Sequence, residues 1–375
     1  MENVGEVLIS AVKSALTDSA FVYDEIDAKA LFDLSKLHDV THLVAYGLTK
    51  QKKLGLLGDD TDNFVSSQTR AVFRHVKIVK ELSDMANSFE RGGVDFIFLK
   101  GSKLRFYYPE AWMRTSSDID VLVRPNCIEK AHEILLKLNY KYLDEWSYER
   151  RYNTPSGVHV EMHTDLIDDS LKVDEYLKSV WDRVVLEEGY THKYKMVDSM
   201  FLYYHVVHMA KHFLDGGCGV RPFIDLYVLN GLGECDEFFS MLKDSDLEAF
   251  YTKSKALIDR WFGSGATIPS GMDEYVLNGG LFGTYDNVVL SRGDKGKFKY
   301  VWGRMFPPYS HMKEHHKVLK KQKWLLPFFY VARWFRLFFK IITGKGRDEL
   351  KAVSNMDEKR VEDTQKLFKD LGLKN

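Results

Sequence analysis

Two aspartates one residue apart carry the first chemical signal in this 375-residue chain, in Ser117-Asp118-Ile119-Asp120-Val121-Leu122-Val123. On a strand, side chains alternate between faces. Asp118 and Asp120 therefore share one face, while Ile119, Val121 and Val123 enter a core on the other. Two like charges that close repel, and each raises the other's pKa. A divalent cation removes that penalty, and Mg²⁺ takes few carboxylates, leaving positions for waters and substrate phosphates. A third carboxylate stands in Val158-His159-Val160-Glu161-Met162-His163. The same alternation sets His159, Glu161 and His163 opposite Val158, Val160 and Met162. If the two strands are neighbours, Asp118, Asp120 and Glu161 form a ligand set for two ions about 4 Å apart, able to activate a hydroxyl and stabilise a leaving pyrophosphate. Asp-x-Asp alone is common at solvated edges and turns, so the reading depends on a companion motif.

That companion is Leu99-Lys100-Gly101-Ser102, which ends the apolar run 94–99 and opens a predicted helix over 103–108. Glycine at such a junction lets backbone N–H groups approach an anion. The helix N-terminus adds positive potential, and a serine hydroxyl adds a donor. The set suits the β- and γ-phosphates of a nucleoside triphosphate. Lys100, Gly101, Ser102 and Arg114 are the candidate nucleotide-binding residues, with Lys103 and Arg105 as nearby cations. Neither the Walker A pattern nor Gly-x-Gly-x-x-Gly is present, and a ligand-free strand–turn–helix junction is the plain alternative.

The elements that must hold these residues are legible as four stretches. Residues 1–90 read as a helical region, with apolar spacing of three and four in Val4-Val7-Leu8-Val12 and Val72-Val76-Val79-Leu82. That second helix stops at Gly92-Gly93. Residues 91–190 alternate strands with a helix from Ile128 to about Leu138, further strands being expected over 140–146 and 157–166; this is a small α/β core. Residues 191–345 read as a C-terminal helical domain with a glycine-rich loop region over 263–296. Residues 346–375 read as one charged, amphipathic helical tail. The expected class is α+β: a mixed-sheet core flanked by N-terminal and C-terminal helical regions.

In its order of strand, Gly101-Ser102, helix, Asp118-Ile119-Asp120 strand and later Glu161 strand, the chain resembles the DNA polymerase β-like nucleotidyltransferase superfamily. The interval from Ser102 to Asp118 is longer than usual there, so an inserted loop is expected over 108–116. A closer similarity is to a bacterial family of uncharacterised nucleotidyltransferases. It rests on Leu99-Lys100-Gly101, Tyr108-Pro109, Arg114, Asp118-Ile119-Asp120-Val121-Leu122-Val123 and Glu161-Met162-His163. It extends to His208, Lys211, His212, Arg221 and Asp225, then Phe306-Pro307, Leu325-Leu326-Pro327 and Arg333. The resemblance implies a polymerase β-like nucleotidyltransferase fold, an NTP donor and two Mg²⁺ or Mn²⁺ ions. It does not supply the acceptor, because fold does not decide substrate.

On that reading Asp118 and Asp120 hold both metals and Glu161 completes the nucleophile-side ion or takes the acceptor's proton. Gly101 and Ser102 cradle phosphates, and Lys100 or Arg114 neutralises charge. His205, His208 and His212 share one helix face. They lack the His-Glu-x-x-His pattern, so packed or solvated histidines are the plainer expectation. The functional alternative is a pocket lined by His163, His208, Lys211, His212, Arg221 and Asp225. Arg221 and Asp225 also fit a structural ion pair with each other. The acceptor is expected to be a small molecule or a glycan precursor. A protein hydroxyl, as in AMPylation by a toxin–antitoxin-like partner, and a catalytically weak nucleotide-binding scaffold are the competing expectations.

Composition bounds the rest. Net charge is −1, so no global field draws nucleic acid, and a polymerase is disfavoured. Three scattered cysteines form neither a disulfide framework nor a zinc pattern, which fits a reducing cytoplasm. The N-terminus, with Glu2 and Glu6, does not read as a signal peptide. Segment 311–345 carries nine Lys/Arg against one Glu, interleaved with aromatics from Trp324 to Phe339. Peripheral membrane contact through 323–345 is one reading. A helix packed on the core with its cations reaching outward is the favoured one, because aromatics are usually buried.

Overall fold

The computed structural model describes residues 3–146, 148–166, 174–263, 267–268, 271–281, 283–292, 296–343 and 347–374. Four helices come first: α1 Val4–Leu16, α2 Ala28–Leu37, α3 Thr41–Lys50 and the long α4 Thr61–Gly92. α4 ends as the Gly92-Gly93 pair predicts, with Gly93 at φ 65° capping it in the left-handed region. The sheet strands are β1 Phe96–Phe98, β2 Asp118–Val123, β3 Lys141–Trp146, β4 Glu149–Asn153, β5 His159–His163, β6 Val184–Leu186 and β7 Lys193–Met196. Between them lie α5 Lys100–Leu104, α6 Ile128–Lys137 and α7 Asp174–Lys178. Helices then continue with α8 Asp198–Leu214, α9 Arg221–Val228, α10 Asp236–Asp244 and α11 Glu248–Phe262.

The seven strands form one mixed sheet in the order β3-β4-β5-β2-β1-β7-β6. β2 runs parallel to β5 and antiparallel to β1, while β4 is antiparallel to both of its neighbours. One face of this sheet is sealed by hydrocarbon. Ile119, Val121 and Val123 of β2 join Val160 and Met162 of β5 in a cluster with Ile78, Leu82, Met85 and Phe89 of α4 and Ala131 and Leu135 of α6. Burying those side chains stabilises the layer by about 1.5–3 kcal/mol each. Because strand side chains alternate, fixing the apolar set inward leaves the acidic set on the opposite face.

The expected loop over 108–116 is present as a strap with one short 3₁₀ turn, Ala111–Met113, and follows another at Arg105–Tyr107. Buried polar contacts hold it. Arg114 Nε donates to Asp225 Oδ1 at 2.6 Å, and the Tyr108 hydroxyl donates to the same oxygen at 2.7 Å. Thr115 Oγ1 donates to Asp39 Oδ2 at 2.8 Å, and His42 Nε2 lies 2.7 Å from the Met113 carbonyl. The strap feeds directly into β2, so α3 and α9 together fix where the Asp118 end of that strand begins.

The chain divides into two compact units, Met1–Lys211 with Val220–Ile268, and His212–Gly219 with Pro269–Asn375. The second unit contains α12 Met272–Gly279, α13 Tyr285–Arg292, α14 Gly296–Met305, α15 Tyr309–His315, α16 Leu326–Ile342, α17 Arg347–Ser354 and α18 Glu358–Asp370. Two expectations are corrected here. The glycine-rich region is not loop throughout: α12 and α13 lie within it, and its positions 264–266 and 293–295 fall outside the described residues. The final stretch holds two helices rather than one, broken ahead of Asp357, whose side chain caps α18 by accepting from Lys359 N.

Removing one partner of a buried ion pair leaves the other charge uncompensated, at about 3–5 kcal/mol. Asp225→Ala, which strands Arg114 and Tyr108 together, is expected to lower unfolding stability by that amount. Urea unfolding followed by circular dichroism measures it, and a midpoint equal to wild type would show that the strap does not depend on this pair.

Candidate functional site

Parallel pairing of β2 with β5 places Asp118 opposite His159, Asp120 opposite Glu161, and Leu122 opposite His163. Paired residues on adjacent strands lie on the same face, so the expectation that the Glu161 strand neighbours the aspartate strand holds in register. Asp120 Oδ1 receives Lys100 Nζ at 2.6 Å and lies 3.2 Å from His163 Nε2. Glu161 stands between two imidazoles, 3.7 Å from His159 Nε2 and 3.9 Å from His163 Nε2. β4 adds Glu149, whose carboxylate is 3.8 Å from His163 Nδ1.

Asp120, Glu161 and His163 each present a ligand atom within 4.8 Å of the others. Two carboxylates with one imidazole suit a divalent ion that accepts hard oxygen donors, Mg²⁺ or Mn²⁺. The donor set therefore fits a metal. Its membership differs from the expected set: His163 stands where Asp118 was expected. Asp118 belongs to the same sheet face but not to that group of three.

Electrostatics separate the three acids. Burial alone would raise the Asp120 pKa, but Lys100 and His163 hold it well below the usual carboxylate range. Asp118 is raised by burial and by the Asp120 charge, against the pull of Lys100 and the arginines. Glu161 is pushed up to about 7 by burial, Asp120 and Glu149, with Lys100 opposing. Burial disfavours the Lys100 charge, yet Asp120, Tyr204 and Glu161 raise its pKa above the usual value. Two neighbouring carboxylates with different protonation preferences are what a site for both ion binding and proton transfer requires.

The turn at Lys100 is strained and tightly packed. Lys100 has φ 41°, a left-handed conformation rare outside glycine. A Cβ added to Gly101 would fall 2.9 Å from Ser116 Cβ, so glycine is required there by close approach of the strap. Ser102 is buried and its hydroxyl oxygen has no hydrogen-bond partner among the described residues. Its backbone N–H donates to Leu99 O at 3.0 Å. An orphaned buried hydroxyl two residues from Lys100 is compatible with a missing acceptor such as a phosphate oxygen.

Three arginines act on Asp118 through their charge. Arg105 is fully buried and donates to Gly101 O at 3.0 Å and Ser116 Oγ at 2.6 Å, so it braces the turn. Arg114, expected at the nucleotide, is buried against Asp225 and the Thr115 carbonyl, and its charge acts on Asp118 without a direct bond among the described contacts. Arg221 and Asp225 are not partners in an ion pair of their own: Arg221 Nη1 binds Asp39 Oδ2 at 2.6 Å, while Asp225 takes Arg114. Lys103 stands 3.9 Å from Glu187.

The α8 histidines divide. His205 is buried, bound to the Pro222 carbonyl at 3.0 Å, and its pKa is lowered by burial, as for a satisfied packing residue. His208 lies with its ring centroid 6.4 Å from that of Tyr204, and Lys211 and His212 follow on the same helix. None of them joins a potential metal-ligand group among the described residues. Sequence reasoning missed Glu149, Tyr204 and Asp39. Glu149 sits on a strand with one buried residue, Tyr152, so alternation gave no signal.

Glu161 also sets a pH dependence. From its ordinary 4.5 up to about 7 the native state holds a proton that the unfolded chain has lost. The stability from that proton is full below 4.5 and is lost as pH rises through about 7, where the ionised carboxylate becomes available to a cation. The rise in Tm on adding Mn²⁺ or Mg²⁺ is therefore expected to be larger at pH 8 than at pH 6, and Glu161→Gln should flatten the difference. Differential scanning fluorimetry at both pH values decides it; equal shifts in the wild type would contradict the assignment.

A search of the curated proteins finds no match, and a search of the solved structures finds none. A family model does match, under the description uncharacterised nucleotidyltransferase, over residues 24–263, a span that contains the whole sheet, the Lys100 turn and every acid of the site. On that match over more than half its length, the chain belongs to this uncharacterised nucleotidyltransferase family.

Proposed function

We propose that this nucleotidyltransferase moves a nucleoside monophosphate from an NTP to a hydroxyl-bearing small molecule or glycan precursor, with release of pyrophosphate. The observation that carries the reading is the in-register meeting of Asp120 and Glu161 on adjacent parallel strands, with His163 within 4.8 Å and Lys100 on Asp120. Asp120, Glu161 and His163 would hold one divalent ion, and Asp118 with Asp120 a second. When bound, such ions neutralise triphosphate charge and acidify the acceptor hydroxyl.

The chain's own groups supply the remainder. The acceptor oxygen bonds to the α-phosphorus, the bond from that phosphorus to the oxygen bridging the β-phosphate breaks, and pyrophosphate leaves with the electron pair. The hydroxyl proton passes to the Glu161 carboxylate oxygen that does not hold the ion. Lys100 contributes a positive charge that stays ionised, and the Gly101-Ser102 turn offers the unpartnered hydroxyl to a phosphate oxygen. No covalent enzyme intermediate is needed, because transfer of this kind depends on positioning and charge.

Asp120→Asn keeps the shape of the site and removes its most firmly ionised acid. Transfer is expected to fall by about a hundredfold or more, with the circular dichroism spectrum unchanged. The assay incubates each of the four NTPs, labelled at the α-phosphate, with fractionated metabolites and separately with protein extract. Label in a small-molecule product, absent in the variant, supports the reading; label in protein would move the acceptor to a polypeptide hydroxyl. Full activity in Asp120→Asn, or no transfer in any fraction, would overturn it.

A further inference from the structure

The second unit carries a surface to which the proposed transfer assigns no role. α16 packs by one side only. Tyr330 donates to the Pro307 carbonyl at 2.8 Å, Arg333 Nε to Arg304 O at 3.0 Å, and Trp334 Nε1 to Met305 O at 3.0 Å. The expectation of a packed aromatic helix holds for that side. It fails for the other: Phe328, Val331, Phe335, Phe338, Phe339 and Ile342 are 43% to 65% exposed. At 3.6 residues per turn these six positions fall within a stripe of about 100°, opposite the packed positions. Trp324, 68% exposed, extends the apolar surface at the N-terminal end of the helix.

Charge surrounds the stripe with one sign. Lys320, Lys321 and Lys323 are exposed on the approach to α16, and Arg336 is exposed on its flank. Segment 311–345 holds nine Lys/Arg against one Glu in a chain whose net charge is −1. No helix among the described residues is long and apolar enough to cross a membrane. α16 has 17 residues, or about 26 Å, and carries Arg333 and Arg336 inside it. Its geometry is that of a helix lying along an interface.

We infer that α16 and its lysine-rich approach seat this unit on an anionic lipid surface. The aromatic stripe enters the headgroup–acyl boundary, and the lysines meet acidic headgroups. A second copy of the chain is a poorer occupant, because it would bring two strongly cationic segments to one interface, whereas acidic lipid turns that repulsion into attraction. The inference is independent of the transfer reaction, and a protein inactive in every transferase assay would leave it standing.

The test is flotation of the full-length chain with phosphatidylcholine vesicles, with and without phosphatidylserine. Binding is expected only with phosphatidylserine, and it should weaken as salt rises. Phe328→Ser/Phe335→Ser/Phe339→Ser is expected to lower the partition coefficient at least about tenfold. Lys320→Gln/Lys321→Gln/Lys323→Gln should lower it by about fivefold per lysine. If the serine variant does not fold, wild type still decides the matter: Trp324 emission, isolated as the difference from Trp324→Phe, should be quenched by brominated lipid in the mixed vesicles. No flotation, equal flotation on neutral and acidic vesicles, or no quenching would overturn the inference. So would a dimer in sedimentation equilibrium that the serine variant abolishes while wild type ignores lipid; that result would assign the stripe to a second copy.

Discussion

Like charges crowded on one side of a sheet are the constraint from which the rest of the first unit follows. Asp118, Asp120 and Glu161 occupy one face because Ile119, Val121, Val160 and Met162 must occupy the other. The period of two that builds the core therefore also builds the site. A register slip of one residue would bury the acids and expose the core, so the hydrophobic cluster fixes the acids in place more firmly than any contact between them. The remaining cost is Coulombic, and the protein meets it unequally. Lys100 and His163 both serve Asp120, while the ion-pair partners of Glu161 among the described residues are imidazoles at 3.7 Å and 3.9 Å, and its carboxyl is pushed up to about 7. That asymmetry gives two acids of one cluster different proton affinities.

The arginines whose charge acts on Asp118 explain why so much polar material is buried around it. Arg105 and Arg114 are buried and Arg221 is partly so, and two acids, Asp39 and Asp225, answer Arg221 and Arg114 directly. Arg221 Nε has no partner among the described residues, and Arg221 and Arg105 are both pulled down to about 10, chiefly by burial. Buried ion pairs seldom add stability over hydrocarbon of the same volume. Their use here is geometric. They bind the turn between α2 and α3, the strap and α9 into one support for the N-terminal end of β2, and their net positive field lowers the cost of an ionised Asp118.

The sheet and its acids were readable in the sequence where local pattern determines structure. Gly92-Gly93 ends α4, and alternation in β2 and β5 gave both the strands and the shared face of Asp118, Asp120 and Glu161. His163 was placed on that face, but its approach to Asp120 depends on which strands pair. The reading failed where a partner lies far along the chain. Arg221 finds Asp39 182 residues away and Arg114 finds Asp225 111 residues away, so the nearer pairing of Arg221 with Asp225 was the wrong inference from proximity. β4, Glu149-Arg150-Arg151-Tyr152-Asn153, has one core residue and hence no alternation to read. In α16 the helical period was visible, but no local pattern states which side meets protein.

Both surfaces singled out here break the ordinary rule for the residues they use. Carboxylates and a lysine are drawn out of water around Asp120, and phenylalanines are left in it along α16. Either violation would be selected against in a fold that served only its own stability, because a half-buried carboxylate cluster and an exposed aromatic stripe each cost free energy, and the stripe invites aggregation. A sequence is consistent across levels except where something outside the fold supplies the missing partner. The cation proposed for the acids must enter a cluster whose ligand atoms lie within 4.8 Å of one another, whereas the partner proposed for α16 is apolar, extended along a helix face and negatively charged at its margin. These differ in sign and in size, so no single ligand would serve both contacts.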